Sequence, residues 1–521
     1  MNNKCEKNIH WDFYSWVIIA GICIIQVFRW HLFPFFMDMY YHLDVMSGFA
    51  KAGGYVPYAF WEYAPVGRIH LYPPLLHIIM MFMFKAGLSP LFIARALNFA
   101  MYPIVLMSVW FFGKKIFNSV FAFGGVLLAV SSYYFYLDTT NSTAFSLAVI
   151  MGMAAVIVFN SRKMVAAAML LGLIFYTHTL AGCIFFISIA VSALVQKKRF
   201  FLVSLAGAAA IALPILIFQA VNRNLYHRVH PIMSQYLFIH IGIYACALIG
   251  IASAIVKKKH YVYLLGILTG FFLLGVLYKH RFLSGEGVFA FIMLGAAGFE
   301  LIAGRISRLV VCRKKYGLII LTFSFAIACA PSLKFTKVST AGFAWDSAFV
   351  HLFFPDRPVN ERLLMGSLDS SMYNQAYIDP LVKIIRENTK DTDIIFSNIP
   401  YAGGMLSAFS GRATSVGMLP EVNPPANFDP LAAAKLSIWF KNTDGSFPES
   451  LKIYVKEYNL IPVAETELAY VYRNDATYAK IRVPPPLVPM PVLAAFLLLA
   501  IVVIVIDLLR SPRYFCSQSP G

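Results

Sequence analysis

Long apolar runs separated by short polar tethers fill most of this chain. Covering about 30 Å of hydrocarbon takes about 20 apolar residues, and runs near that length lie at 14–33, 91–112, 119–137 and 142–160. The run 164–195 is too long for one helix and breaks at Thr177-His178-Thr179 and Gly182, so it divides into two. Further runs follow at 200–220, 236–256, 261–278, 287–304 and 317–333, with a last one at 488–509 after a long polar interval. The pattern predicts twelve crossings. One more apolar stretch, 71–87, fits either a crossing or an interfacial helix.

The basic residues decide between the two, because short cytoplasmic loops collect Lys and Arg. With the N-terminus inside and 71–87 not crossing, one side receives every tight cluster. These are Lys114-Lys115, Arg162-Lys163, Lys197-Lys198-Arg199, Lys257-Lys258-Lys259, the group from Arg305 to Lys315, and Arg510 with Arg513. A crossing at 71–87 would send all of them outward. The stretch is therefore read as a helix in the outer interface, led in by Pro73-Pro74. Both termini are expected in the cytoplasm, with the first run a retained anchor, since no small-residue cleavage site follows it.

Composition agrees. Of 521 residues, 59% are hydrophobic and 13% charged, with a mean hydropathy of +0.69. That is too little charge to wet a soluble surface, which excludes an ordinary cytosolic enzyme and a disordered chain. The net charge of +18 comes from 43 basic and 25 acidic residues. It sits in the inter-helix clusters and reads as topology, not as a nucleic-acid footprint. The seven cysteines are scattered without a CxxC pair, so neither a disulfide framework nor a zinc site is indicated. The expected fold class is mostly α: a polytopic bundle with a small external α/β domain. Residues 1–333 form the membrane module, with a first external loop at 34–90. Residues 334–486 form the external domain, and 487–521 the last helix and a cytoplasmic tail. Within the domain, strands are expected at 393–396, 413–416, 460–464 and 467–473, and helices at 401–410 and 449–458.

The chemistry concentrates in the first outer loop. It contains Asp38-Met39-Tyr40-Tyr41-His42-Leu43-Asp44, then Glu62, Arg68 and His70-Leu71-Tyr72-Pro73-Pro74-Leu75. An ionisable group at the edge of the hydrocarbon is costly and points to function. His42 follows Asp38 by one helical turn, so the two share a face. Carboxylates and an imidazole in aromatic surroundings suit proton abstraction or a hard divalent cation.

These residues resemble the first external loop of GT-C-type membrane glycosyltransferases, nearest to the catalytic subunit of oligosaccharyltransferase. In that family an acidic residue precedes aromatic-aromatic-His, and a His-x-Pro-Pro-Leu-type segment follows. The likeness covers roughly residues 10–300. It implies an outer-face transferase taking a sugar from a polyprenyl phosphate or diphosphate carrier, with Asp38 as metal ligand or acceptor-activating base. It also implies a second acid on the next external tip, Asp138. That tip offers one acid where oligosaccharyltransferases usually carry two. A hard divalent cation such as Mg or Mn takes about six oxygens. Asp38 and Asp138 would therefore need water, Asp44 or Glu62 to complete a cage.

A lipid phosphate needs cations, and the tip Tyr278-Lys279-His280-Arg281-Phe282 supplies them on the outer side. Arg281, able to bind phosphate through two nitrogens, is the expected clamp, with Lys279 beside it. His178 lies at another outer turn, where it would orient donor or acceptor or serve the structure. With His42, Glu62, Arg68 and His70 these make the expected substrate-binding set. The acceptor is a glycan, lipid or protein. The Trp-Trp-Asp motif that grips a peptide sequon in oligosaccharyltransferases is absent, so protein N-glycosylation is not expected. A secondary transporter would also account for many crossings, but no internal repeat is visible and the charges sit at helix ends. A receptor or scaffold leaves the Asp38–His42 and Pro-Pro elements unexplained.

Overall fold

The structure is a computed structural model that describes residues 10–31, 37–132, 135–136, 139–140, 143–196, 201–225, 236–256, 261–277, 286–310, 313–336, 342–344, 375–418, 428–442, 447–475 and 478–509. A helix lies in every apolar run. In chain order these begin with α1 (Trp11–Phe28), α2 (Met37–Ala52), α3 (Leu75–Lys85), α4 (Pro90–Ile116), α5 (Ser119–Ser131) and α6 (Thr143–Asn160). They continue with α7 (Met164–Phe175), α8 (Thr179–Val195), α9 (Phe201–Val221), α10 (Ile241–Val256), α11 (Val262–Leu277), α12 (Glu286–Leu309) and α13 (Arg313–Ala328). The last is α18 (Met490–Leu509). Among the described residues, five helices are long and apolar enough to cross a membrane, and the protein is an integral membrane protein.

The predicted break in 164–195 falls between α7 and α8. There His178 caps α8 by accepting the Ala181 N–H on Nδ1 at 3.3 Å, which satisfies one of the orphan donors of a helix start. The 71–87 stretch forms only the eleven-residue α3, a rise of about 16 Å or half the hydrocarbon thickness. Three short strands follow α2 in the first loop, β1 (Gly54–Tyr55), β2 (Tyr58–Ala59) and β3 (Arg68–Ile69). Two runs differ from expectation. Residues 236–240 form a strand, β4 (Tyr236–His240), before α10 begins, and helix α13 stops ahead of Pro331. Strand β5 (Ser332–Thr336) follows and pairs antiparallel with β4 and with β6 (Gly342–Ala344). An unbroken apolar run carries no period, so its strand portion cannot be told from helix by pattern. Helices α10 and α12 cross in close contact at glycines. A Cβ on Gly250 would fall 1.7 Å from the Leu294 carbonyl oxygen, and one on Gly298 would fall 1.9 Å from that of Cys246. Small residues at such crossings let backbones meet where lipid supplies no hydrophobic drive.

The later polar segment builds one five-stranded sheet. Its elements are α14 (Gln375–Asn388), β7 (Ile394–Ser397), α15 (Pro400–Ser410), β8 (Ala413–Thr414), α16 (Pro430–Ala433), β9 (Leu436–Phe440), α17 (Glu449–Glu457), β10 (Ile461–Glu465) and β11 (Ala469–Arg473). Strand order is β10-β11-β9-β7-β8, with β7 parallel to β8 and β9 and the remaining pairs antiparallel. The expected strands and helices are present; α14 and the wholly buried β9 were not anticipated. The first-loop chain lies along the β8 edge. Thr414 N–H donates to the Trp61 carbonyl at 2.8 Å and Ala64 N–H to that of Thr414 at 3.0 Å. The sheet thus borrows backbone from residues 61–64, far away in sequence, and its exposed edge is covered.

Candidate active site

Helix α2 is the centre of the site. Asp38 stands in its first turn, partly buried, where a carboxylate is favoured by the helix dipole. The rest of the helix is wrapped: α3 packs on one side and α15 on the other.

On the α3 side lies a box of buried imidazoles. His42 Nδ1 is 2.8 Å from His77 Nε2, and the Tyr41 hydroxyl is 3.3 Å from His70 Nδ1. His42, His70 and His77 expose 2% of their surface or less. Their ring centroids lie 5.0 Å (His42–His77) and 5.6 Å (His70–His77) apart, with Tyr72 5.3 Å from His42 and Phe49 5.5 Å from His70. Burial holds all three rings neutral. His42 is pushed down to about 3, with His178 adding to the effect. His70 is also pushed to about 3, by burial and then by the Arg68 guanidinium and His42. His77 is driven well below the ordinary range by burial, then by His42 and His70. The Pro73 carbonyl faces His77 and opposes this, although His77 Nδ1 makes no well-formed hydrogen bond. Among the described residues, His42 Nε2 and His70 Nε2 also have no hydrogen-bond partner.

A second buried group joins the loop to the sheet. Arg68 donates to Glu62 Oε1 from Nε at 2.8 Å and from Nη2 at 2.6 Å, and its guanidinium lies 5.4 Å from the Tyr63 ring centroid. Glu62 Oε2 accepts the Met418 N–H at 3.3 Å. Asp44, on the far side of α2 from His42, lies 2.6 Å from the Ser407 hydroxyl of α15. Burial pushes its pKa well above the usual carboxylate range.

No protein-family model and no curated protein matches this sequence. Solved structures do. ArnT from Cupriavidus metallidurans, in the apo state, aligns with a TM-score of 0.52 at 11% identity, covering 90% of this chain and 99% of that one. The oligosaccharyltransferase of Archaeoglobus fulgidus in complex with Zn and sulfate aligns at 0.49 and 12% identity, over 81% of this chain and 68% of that one. The archaeal oligosaccharyltransferase AglB from Archaeoglobus fulgidus, in complex with an inhibitory peptide and a dolichol-phosphate, aligns at 0.48 and 11%, over 89% and 74%.

The fold is GT-C.

Within this GT-C fold the predicted residues separate into groups. Asp38, His42, Glu62, Arg68 and His70 all belong to the first loop as it wraps α2. Within that loop Glu62 pairs with Arg68, His42 with His77 and His70 with Tyr41. His178 reaches the same neighbourhood, 5.8 Å from Phe145 and close enough to His42 to lower its proton affinity. Because His178 Nδ1 accepts the Ala181 N–H, the neutral ring carries its proton on Nε2. Asp138, Lys279 and Arg281 lie outside the described residues, so their meeting with Asp38 stays an expectation. As cation ligands, neither Asp44 nor Glu62 fits: one is engaged by Ser407, the other by Arg68 and Met418. Among the described residues no group of three His, Cys, Asp or Glu side chains is placed to hold a metal ion. Two residues of the site escaped the sequence reading. His77 is the one imidazole in an otherwise apolar run, a signal that was present. Ser407 carries no local signal at all.

Proposed function

We propose that this chain is a glycosyltransferase of the membrane's outer face, moving a sugar from a polyprenyl-phosphate-linked donor to an acceptor hydroxyl. The observation carrying the proposal is the placement of Asp38. It sits in the first turn of a helix held from both sides, in a chain that spans a GT-C fold from end to end. In this reading Asp38 takes the acceptor's proton, and Asp138 assists across the site. Arg281 and Lys279 neutralise the departing phosphate, whose developing charge fixed cations would stabilise. Residues 61–64 and the five-stranded sheet lie outside the membrane, and the termini inside. Among the described residues the acids do not form a cation cage.

The test uses membranes containing the full chain and polyprenyl phosphates bearing a radiolabelled sugar. Asp38→Asn, which removes the base while keeping size, is expected to lower transfer on the order of a hundredfold or more. Equal transfer by Asp38→Asn and the unmodified protein removes Asp38 from the reaction. No transfer from any such donor refutes the function.

A further inference from the structure

Asp44 is a buried carboxyl for which the reaction above has no use. Asp44 Oδ1 lies 2.6 Å from Ser407 Oγ, and the same Oγ lies 2.5 Å from the carbonyl oxygen of Arg412. A serine hydroxyl carries one proton and a carbonyl oxygen none. Both oxygen pairs are at or inside the short end of normal O–H···O distances, and a single proton shared between two acceptors lengthens both contacts. Each pair therefore needs a proton of its own. Ser407 gives its proton to the Arg412 carbonyl, and the group left to supply the other is the Asp44 carboxyl.

We infer that Asp44 is a positioning residue, held as the neutral acid, and that its O–H···Oγ bond to Ser407 sets the rotation of α2 against α15. Resting on the reading of Asp38 given above, the bond would thereby aim the carboxylate six residues earlier on the same helix. The two polar pins on α2 oppose each other. His42 and Asp44 are two residues apart, so they point about 200° apart round the helix. One meets α3 and the other α15, and together they prevent the helix from turning.

The charged groups around Asp44 agree with a neutral carboxyl. It is 4% exposed. From the first loop Glu62 faces it and disfavours ionisation, even with Arg68 paired to Glu62. From its own helix Lys51 favours ionisation, but that ammonium is spent on the carbonyls of Gly411 and, at 3.4 Å, Asp391. From α15 the Ser407 hydroxyl favours ionisation when it donates to Asp44, but here its proton goes to the Arg412 carbonyl, while α3 directs His77 to His42 on the opposite side.

Two measurements on the purified full chain test this. Infrared difference spectra between the unmodified protein and Asp44→Asn near neutral pH should show loss of a protonated-carboxyl C=O stretch that shifts in D2O. Ser407→Ala should keep that band and move it to higher frequency. Loss of carboxylate bands instead would overturn the inference. In the transfer assay the unmodified protein should decline at alkaline pH, and Asp44→Asn, which can still donate to Ser407, should retain turnover and lack that decline. Asp44→Ala should lose on the order of tenfold or more in kcat with little change in KM, since small misplacement of a reacting group is costly. Asn and Ala equally damaging would refute positioning by a neutral acid. If no donor is used, the infrared result still decides the protonation state, so failure of the proposed reaction and failure of this inference are told apart.

Discussion

His42 Nδ1 lies 2.8 Å from His77 Nε2 in an interior that reaches no water, so one neutral imidazole donates to the other. The pair locks the helix that carries Asp38 to the short helix after Pro73-Pro74. Removing one member strands the other, and a buried polar group without its partner costs about 1–3 kcal/mol. His77→Phe should therefore lower the thermal midpoint in detergent. The double variant His42→Phe/His77→Phe, in which no polar group is stranded, should recover part of the loss. A single variant as stable as the parent would show that the bond contributes nothing.

The imidazole box makes stability depend on pH with a definite sign. An unfolded histidine titrates near 6.5, whereas His42 and His70 are held down to about 3 in the folded protein. Between those values the unfolded chain binds more protons, so folding weakens as pH falls. The contribution is complete above about pH 6.5 and disappears progressively toward 3. Unfolding midpoints taken from pH 7.5 down to 4.5 should fall, and His70→Phe should flatten the slope. An unchanged slope in that variant would show that His70 is not buried as a neutral ring.

The Glu62–Arg68 pair is buried, with side-chain exposures of 2% and 5%. Deleting one partner leaves an uncompensated charge, which costs about 3–5 kcal/mol. Arg68→Met and Glu62→Gln should each destabilise strongly, Glu62→Gln also weakening the tie to Met418. Glu62→Gln combined with Arg68→Met should cost less than the two separate changes added. Additive losses in this double-mutant cycle would mean the two side chains do not interact energetically.

Two glycines of α12 make a matched comparison. A Cβ on Gly298 would meet the Cys246 backbone, which cannot swing aside as a side chain can, whereas one on Gly304 meets nothing within 4 Å. Gly298→Ala should destabilise by about 1–3 kcal/mol through overpacking. Gly304→Ala should be neutral or mildly stabilising, since alanine favours helix. Similar midpoints for both variants would argue against the close crossing of α10 and α12.

Much of this molecule could be read along the chain, because a membrane acts on each segment locally. Apolar length placed the helices, and Thr177-His178-Thr179 marked the break between α7 and α8. The Asp38–His42 spacing identified α2 as the element to watch. Residues 236–240 escaped that logic, since strand and helix are equally apolar there. What tertiary structure alone decided is which groups meet: His42 with His77, Asp44 with Ser407, and residues 61–64 with the edge of a sheet built some 350 positions later. The physical reason is burial. Whether a carboxylate serves as ligand, ion-pair partner or neutral acid depends on the dielectric and the donors around it. Those are supplied by distant chain, so the residue types in the first loop were legible while their charge states and partners were not.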